Sequence, residues 1–189
     1  PPFANEAGSI WAVQNGELYN HADIRRGLER SGHRFRTRCD TEILPHLYEE
    51  AGTAFSEQLR GMFGIALWDE HAQRAVIVRD RFGIKPLYYA EVGDLVVFGS
   101  QLKSVLASGL IEPDLDYAAI HAFLTPGFVP RPMTPIAAVL KRLPVHLLIL
   151  TRVPPPATTY WGSPPPHPRR PHPPRNRPPS TPPPPVPPP

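Results

Sequence analysis

Proline is distributed so unevenly along this 189-residue chain that it divides the sequence before any motif is read. Nineteen of the 29 prolines fall in the 36 positions from Pro154 to Pro189, and the preceding 153 residues hold ten. A residue with a fixed φ and no backbone N–H neither continues a helix nor pairs inside a sheet, so the C-terminal stretch has no route to a regular core. What folds is expected upstream of it. The tail also carries Arg169, Arg170, Arg175 and Arg177 with no acidic residue, contributing +4 to a formal net charge of +3 and leaving the body at −1. The pI of about 9.3 therefore belongs largely to the tail, and the body gives little reason to expect a nucleic-acid partner.

Within the body, Ser9 to Val13 reads as a strand delivered into Asn15-Gly16, a dipeptide suited to positive φ and close backbone approach. Two readings fit: a plain Asn-Gly hairpin turn, or a strand-corner-helix site whose amide and free N–H groups stabilise an oxyanion. Asn20 to Ser31 reads as an amphipathic helix with Ile24 and Leu28 on one face and Gly32 as its stop. His33 to Thr37 alternates around Phe35 as a short strand would. Ile43 to Glu50 is a second amphipathic helix, in which Pro45 sits awkwardly. Asp40 either caps that helix or binds a substrate ammonium group.

From Met62 the period becomes extended. Met62 to Trp68, Arg74 to Val78, Leu87 to Ala90 and Leu95 to Phe98 read as four short strands, whose brief connections favour antiparallel neighbours. The charged run Arg79-Asp80-Arg81-Phe82-Gly83-Ile84-Lys85 reads as a structural hairpin connection. Gln101 to Ala107 and Asp116 to Phe123 are helix-like, Thr125 to Pro135 holds four prolines, and Val139 to Leu150 is a last apolar run. The class expected is α+β, with sheet at the centre and helices on the faces.

Cys39 is the only cysteine, so no internal disulfide exists and a reducing, cytoplasmic setting is the natural expectation. No base is fixed near Cys39 by spacing, which argues against a nucleophilic role. The eight histidines are scattered without ligand spacing, so no metal site is expected. No apolar stretch is long enough to span a membrane, and the first residues lack the features of a signal peptide. With no initiating Met, the chain is expected to be part of a longer one.

Taken in order, several stretches resemble one family: Asn15 to Asn20, Gly32 to Thr37, Asp40-Thr41-Glu42, His46 to Glu50, Leu59 to Phe63, Arg79 to Tyr89 and Leu102-Lys103. They are similar to the class II glutamine amidotransferase domain of glutamine-hydrolysing asparagine synthetase. The resemblance runs from about Ile10 to Trp161, and Phe128 to Ile136 with Lys141 to Pro144 matches the connection out of that domain. It implies an α+β N-terminal-nucleophile hydrolase fold, an αββα sandwich of antiparallel sheets, incomplete at its N-terminus. The division it implies is residues 1–125 as a partial amidotransferase domain, 126–161 as a connection toward a synthetase domain, and 162–189 as a Pro/Arg-rich disordered tail.

In the family an N-terminal cysteine attacks the glutamine amide, its α-amino group serves as base, and ammonia passes to a synthetase domain that activates aspartate with ATP. By motif match, Asn15 and Gly16 would form the oxyanion hole, and with Glu17 they would line the glutamine site; Asp40 would hold the α-ammonium group. No metal ligand is implied in this chain, and ATP and Mg²⁺ are expected only in the synthetase domain. Glutamine is the implied partner, without nucleic acid or membrane, and a homodimer is compatible with the full-length family.

The departures are equally specific. Position 1 is Pro1, and the family's cysteine and arginine loop are expected upstream of it. Gln101 stands where the family has Glu, and Val145 replaces part of a usual Pro-Gly. The chain is therefore expected to be inactive alone. The tail has two readings: a polyproline II ligand for proline-recognition domains, or a GC-rich frame read out of register. The alternatives to the leading function are a non-catalytic proline-rich interaction protein and the glutaminase part of another amidotransferase ligase.

Overall fold

A computed structural model of the chain describes residues 1–124, 127–141, 144, 146–151 and 157–160. In chain order the elements are β1 (Phe3–Ala4), β2 (Ile10–Leu18), α1 (His21–Arg30), α2 (Ile43–Ala51), a 3₁₀ turn (Gly52–Gln58), β3 (Gly61–Asp69), β4 (Arg74–Arg79), β5 (Tyr88–Val92), β6 (Leu95–Gly99), α3 (Leu102–Leu106), α4 (Tyr117–Leu124), β7 (Leu140–Lys141), β8 (His146–Thr151) and β9 (Ala157–Tyr160). Six strands form one sheet in the order β1-β2-β3-β4-β8-β9, and three form a second in the order β6-β5-β7. Each pairing is antiparallel.

Alternation along the strands decides what each face touches. On the first sheet, Ile10, Ala12 and Leu18 of β2 and Phe63, Ile65 and Leu67 of β3 point into one core with Ile43, Leu44, Leu47 and Tyr48 of α2. From the opposite face of that sheet, Ala66, Ile77 and Leu148 meet Leu87, just before β5, and Tyr89 of the second sheet. The other face of β5 packs Tyr88 and Ala90 against Leu102 and Val105 of α3. Helix, sheet, sheet and helix are thus stacked, the αββα sandwich expected from the sequence.

Four local expectations are corrected. The chain does not turn at Asn15-Gly16: β2 runs on to Leu18, with Asn15 opposite Gly64 and Gly16 opposite Phe63. Residues 33 to 37 form no strand, because Phe35 turns inward onto His46, with the Arg25 guanidinium 4.2 Å over its ring. The charged run after β4 is no hairpin. β4 pairs with β3 and β8 and β5 with β6 and β7, so Asp80 to Leu87 crosses from one sheet to the other. Asp40 caps no helix through its side chain either: α2 starts after Glu42 without a side-chain cap. Pro45 proves harmless, since it is the third residue of α2, where backbone N–H groups have no intrahelical partner.

The stretch 126–161 supplies β7, β8 and β9 to the two sheets. The expectations placed on Val145, Trp161 and the proline-rich tail lie outside the described residues. Among the described residues no helix is long and apolar enough to cross a membrane.

Candidate functional site

β1 reaches β2 only at Ala12 and Trp11, so residues 13–18 have β3 on one side and, among the described residues, no strand on the other. That open edge carries the predicted site. Asn15, Gly16 and Glu17 are all exposed on it, and among the described residues the side chains of Asn15 and Glu17 make no hydrogen bond.

Gly16 is required there by its neighbours. Its φ is +144°, and a Cβ would fall onto the Met62 carbonyl and lie 2.7 Å from the Phe63 Cα. Gly61 mirrors it across the pair at φ +158°, where a Cβ would strike the Glu17 carbonyl. Two glycines therefore let β2 and β3 approach closely beside the exposed backbone of Asn15 to Glu17.

Asp40 arrives at the same edge from the connection between α1 and α2. Its Oδ2 accepts from the Leu18 N–H at 2.8 Å and from the Gln14 side-chain amide at 2.9 Å. Its Oδ1 lies 3.4 Å from the Thr41 hydroxyl and 3.6 Å from the Cys39 thiol, and the Thr41 backbone N–H also approaches the carboxylate. Burial pushes the Asp40 carboxyl up, but the Leu18 N–H, the Gln14 amide, Cys39 and Thr41 together overcome it and hold it below its ordinary value. The group is a fixed carboxylate with one oxygen committed to the protein and the other lightly used.

Glu42 fixes the connection that presents Asp40. Its carboxylate accepts from the Arg36 N–H at 2.6 Å and from the N–H and hydroxyl of Thr37 at 2.8 and 2.6 Å, with Arg25 3.7 Å away. Burial raises its pKa, and the Thr37 hydroxyl, the two N–H groups and Arg25 more than offset this, leaving it lowered. Arg25 also donates to the Thr37 and Cys39 carbonyls. Residues 36–42 are thereby tied to α1 on one side and to β2 on the other.

The structure brings Asp40 to the strand that carries Asn15, Gly16 and Glu17, 23 to 25 positions away in sequence. Sequence reasoning missed Gln14. It lies between Ala12 and Leu18 on the otherwise apolar inward face of β2, and a polar residue at such a position is a signal that a partner faces it. Its Nε2 holds Asp40, and its Oε1 is buried with no partner among the described residues. Cys39 Sγ lies 3.6 Å from Asp40 Oδ1, and among the described residues no histidine is hydrogen-bonded to it as a base.

The Arg79-to-Lys85 run is structural. Asp80 is fully buried and accepts from the N–H groups of Phe82, Ile84 and Lys85, while Arg79 donates to the Gly83 and Lys85 carbonyls. The run holds the two sheets together rather than forming part of the β2 edge.

Comparison with known proteins gives a consistent picture. The family described as "Glutamine amidotransferase domain" matches residues 1–161. Asparagine synthetase [glutamine-hydrolyzing] 2 of Bacillus subtilis is 45% identical over 106 residues, covering 56% of this chain and 14% of that protein. Asparagine synthetase [glutamine-hydrolyzing] 1 of the same organism is 36% identical over 140 residues, covering 74% of this chain and 22% of that protein. The chain thus spans less than a quarter of either relative. Among solved structures, the glutamine phosphoribosylpyrophosphate amidotransferase of B. subtilis, complexed with ADP and GMP, aligns with a TM-score of 0.56 at 20% identity. The alignment covers 86% of this chain and 31% of that one, and it supports the fold alone.

Proposed function

The chain belongs to the glutamine amidotransferase domain family, and from that premise we propose that the open edge of β2 is the glutamine-binding side of an ammonia-releasing site. Asp40 pairs with the substrate α-ammonium group through Oδ1. The Asn15 side-chain amide and the Gly16 N–H face the amide carbon under attack and donate to the oxyanion that forms there, while Glu17 lines the substrate. Neutral donors then stand where negative charge develops and a carboxylate where a cation rests, so that substrate is both held and oriented.

The observation that carries this reading is the asymmetry of Asp40. Oδ2 is committed to Leu18 and Gln14, which fixes the group on the strand, and Oδ1 is left for a cation beside the exposed Asn15 to Glu17 backbone. The unpartnered Gln14 Oε1 adds a second acceptor near that carboxylate.

In a protein as long as the asparagine synthetases above, the ammonia would serve asparagine formation, the activity those relatives are named for. Aspartate activation with ATP and Mg²⁺ would then belong to a further domain. The test is an NMR titration of the 189-residue chain with L-glutamine. Shifts confined to the amides of Asn15, Gly16, Glu17, Leu18 and Asp40, and lost in Asp40→Asn, support the proposal. An unchanged titration in Asp40→Asn would assign Asp40 to structure only.

A further inference from the structure

We propose that Glu6, His33, His46 and Glu49 form a structural binding site for a divalent transition-metal ion of the zinc class. The four come from three segments: the turn between β1 and β2, the connection after α1, and α2, where His46 and Glu49 lie three residues apart on one helical face. Each offers one ligand atom, and these atoms all lie within 4.8 Å of one another.

Three of the spacings inside the cluster lie near those of a coordination shell, and the whole set would contract from its 4.8 Å spread on taking up an ion. The two Nδ1 atoms are 3.3 Å apart, and Glu6 places its carboxylate oxygens 3.0 Å from the His46 Nδ1 and 3.6 Å from the His33 Nδ1. Ligands bound at about 2.0–2.2 Å around a tetrahedral ion are separated by about 3.3–3.6 Å. Imidazole nitrogen with carboxylate oxygen suits zinc better than calcium or magnesium.

A second observation is independent of those spacings. The far nitrogen of His33, Nε2, lies 3.0 Å from the Glu50 carboxylate. Donating there keeps the ring proton on Nε2 and turns the Nδ1 lone pair into the cluster, which is how a carboxylate orients a metal-binding histidine. The carboxylate ligands are steadied as well. The Arg34 N–H donates to Glu6 at 2.7 Å, and the buried Asn5 amide donates to Glu49 at 3.2 Å. Phe35 covers the His46 ring at 4.6 Å between centroids, closing one side of the site. Four protein ligands leave no open position, so the ion would brace the β1–β2 turn against α2 and the connection that leads to Asp40.

The metal-free 189-residue chain should bind one equivalent of Zn²⁺ by calorimetry, and Co²⁺ should give the visible d–d bands of a tetrahedral ion. His33→Ala should abolish both signals. Glu50→Gln, which removes only the orienting acceptor, should weaken Zn²⁺ about 10- to 100-fold with unchanged far-UV circular dichroism. His71→Ala, at an exposed histidine outside the cluster, should leave binding intact. Because His46 is buried and its removal risks unfolding, Glu6→Gln and Glu49→Gln provide the remaining ligand tests and should each weaken binding. No saturable binding at one equivalent, or equal affinity in His33→Ala, would overturn the proposal and leave the four residues as a hydrogen-bonded ion-pair network.

Discussion

The Asp40 carboxylate accepts the Leu18 backbone N–H at 2.8 Å, closing the open edge of β2 with a side chain where a neighbouring strand would otherwise stand. One contact thereby satisfies a strand donor and fixes a charge beside the exposed Asn15 to Glu17 backbone. Removing it should be felt in stability as well as binding. Asp40→Ala leaves the Leu18 N–H and the Gln14 amide without their acceptor, and a loss of about 1–3 kcal/mol is expected in urea denaturation.

Gly16 and Gly27 should respond to alanine with opposite signs. Gly16 combines a φ of +144° with a backbone oxygen where the methyl would sit, so Gly16→Ala should cost at least about 1–3 kcal/mol from the backbone conformation alone. Gly27 lies inside α1 with nothing within 4 Å of its missing Cβ, so Gly27→Ala should stabilise by about 0.4–1 kcal/mol. Thermal melts of the two variants check the pair together.

Asp80→Ala should be among the most disruptive single changes. It strips the acceptor from three N–H groups in the crossing between the sheets, in a fully buried position. Hydrogen bonds to a charged group contribute about 1.5–3 kcal/mol each, so a loss above about 3 kcal/mol is expected from equilibrium unfolding.

Acid should loosen the connection between α1 and α2. Asp40 and Glu42 are both held below their ordinary values of 3.8 and 4.5, by the Leu18 N–H and the Thr37 hydroxyl foremost among the lowering contacts. A depressed carboxyl stabilises fully above its unfolded value and loses that contribution as pH falls through its folded value. The contribution of these two carboxylates should therefore be flat near neutrality and decline below about pH 4.5, and Glu42→Gln should flatten that part of the decline. Denaturant melts across that range test it.

Cys39 should have no part in turnover. Its thiol contacts the Asp40 carboxylate, and among the described residues no general base is hydrogen-bonded to it. Any glutamate release from glutamine measured with the chain should be the same in Cys39→Ala.

How much of this was legible in the sequence varies with the range of the interaction involved. Helices α1 and α2 and strands β3 to β6 follow from apolar periodicity, because each buries its own patterned face. Asn15-Gly16 misled as a turn because its local chemistry is that of a hairpin; the constraint is the Met62 carbonyl across the ladder, which lies 46 positions on. Phe35 alternates like a strand residue but is drawn inward by His46 and Arg25. His33 and His46, 13 positions apart, match no ligand spacing, and only the docking of the β1–β2 turn and α2 brings Glu6 and Glu49 to them. Gln14 was readable in principle, as the one polar side chain on the apolar face of β2.

The central claim is that Asp40 presents a carboxylate to an amino-acid ammonium group at the β2 edge. Calorimetric titration of the chain with L-glutamine, and with the analogue in which hydrogen replaces the α-ammonium group, tests it most directly. The account predicts saturable binding of glutamine, none of the analogue, and loss of glutamine binding in Asp40→Asn with the fold intact. Equal binding of both compounds, or binding of glutamine undiminished in Asp40→Asn, would contradict it.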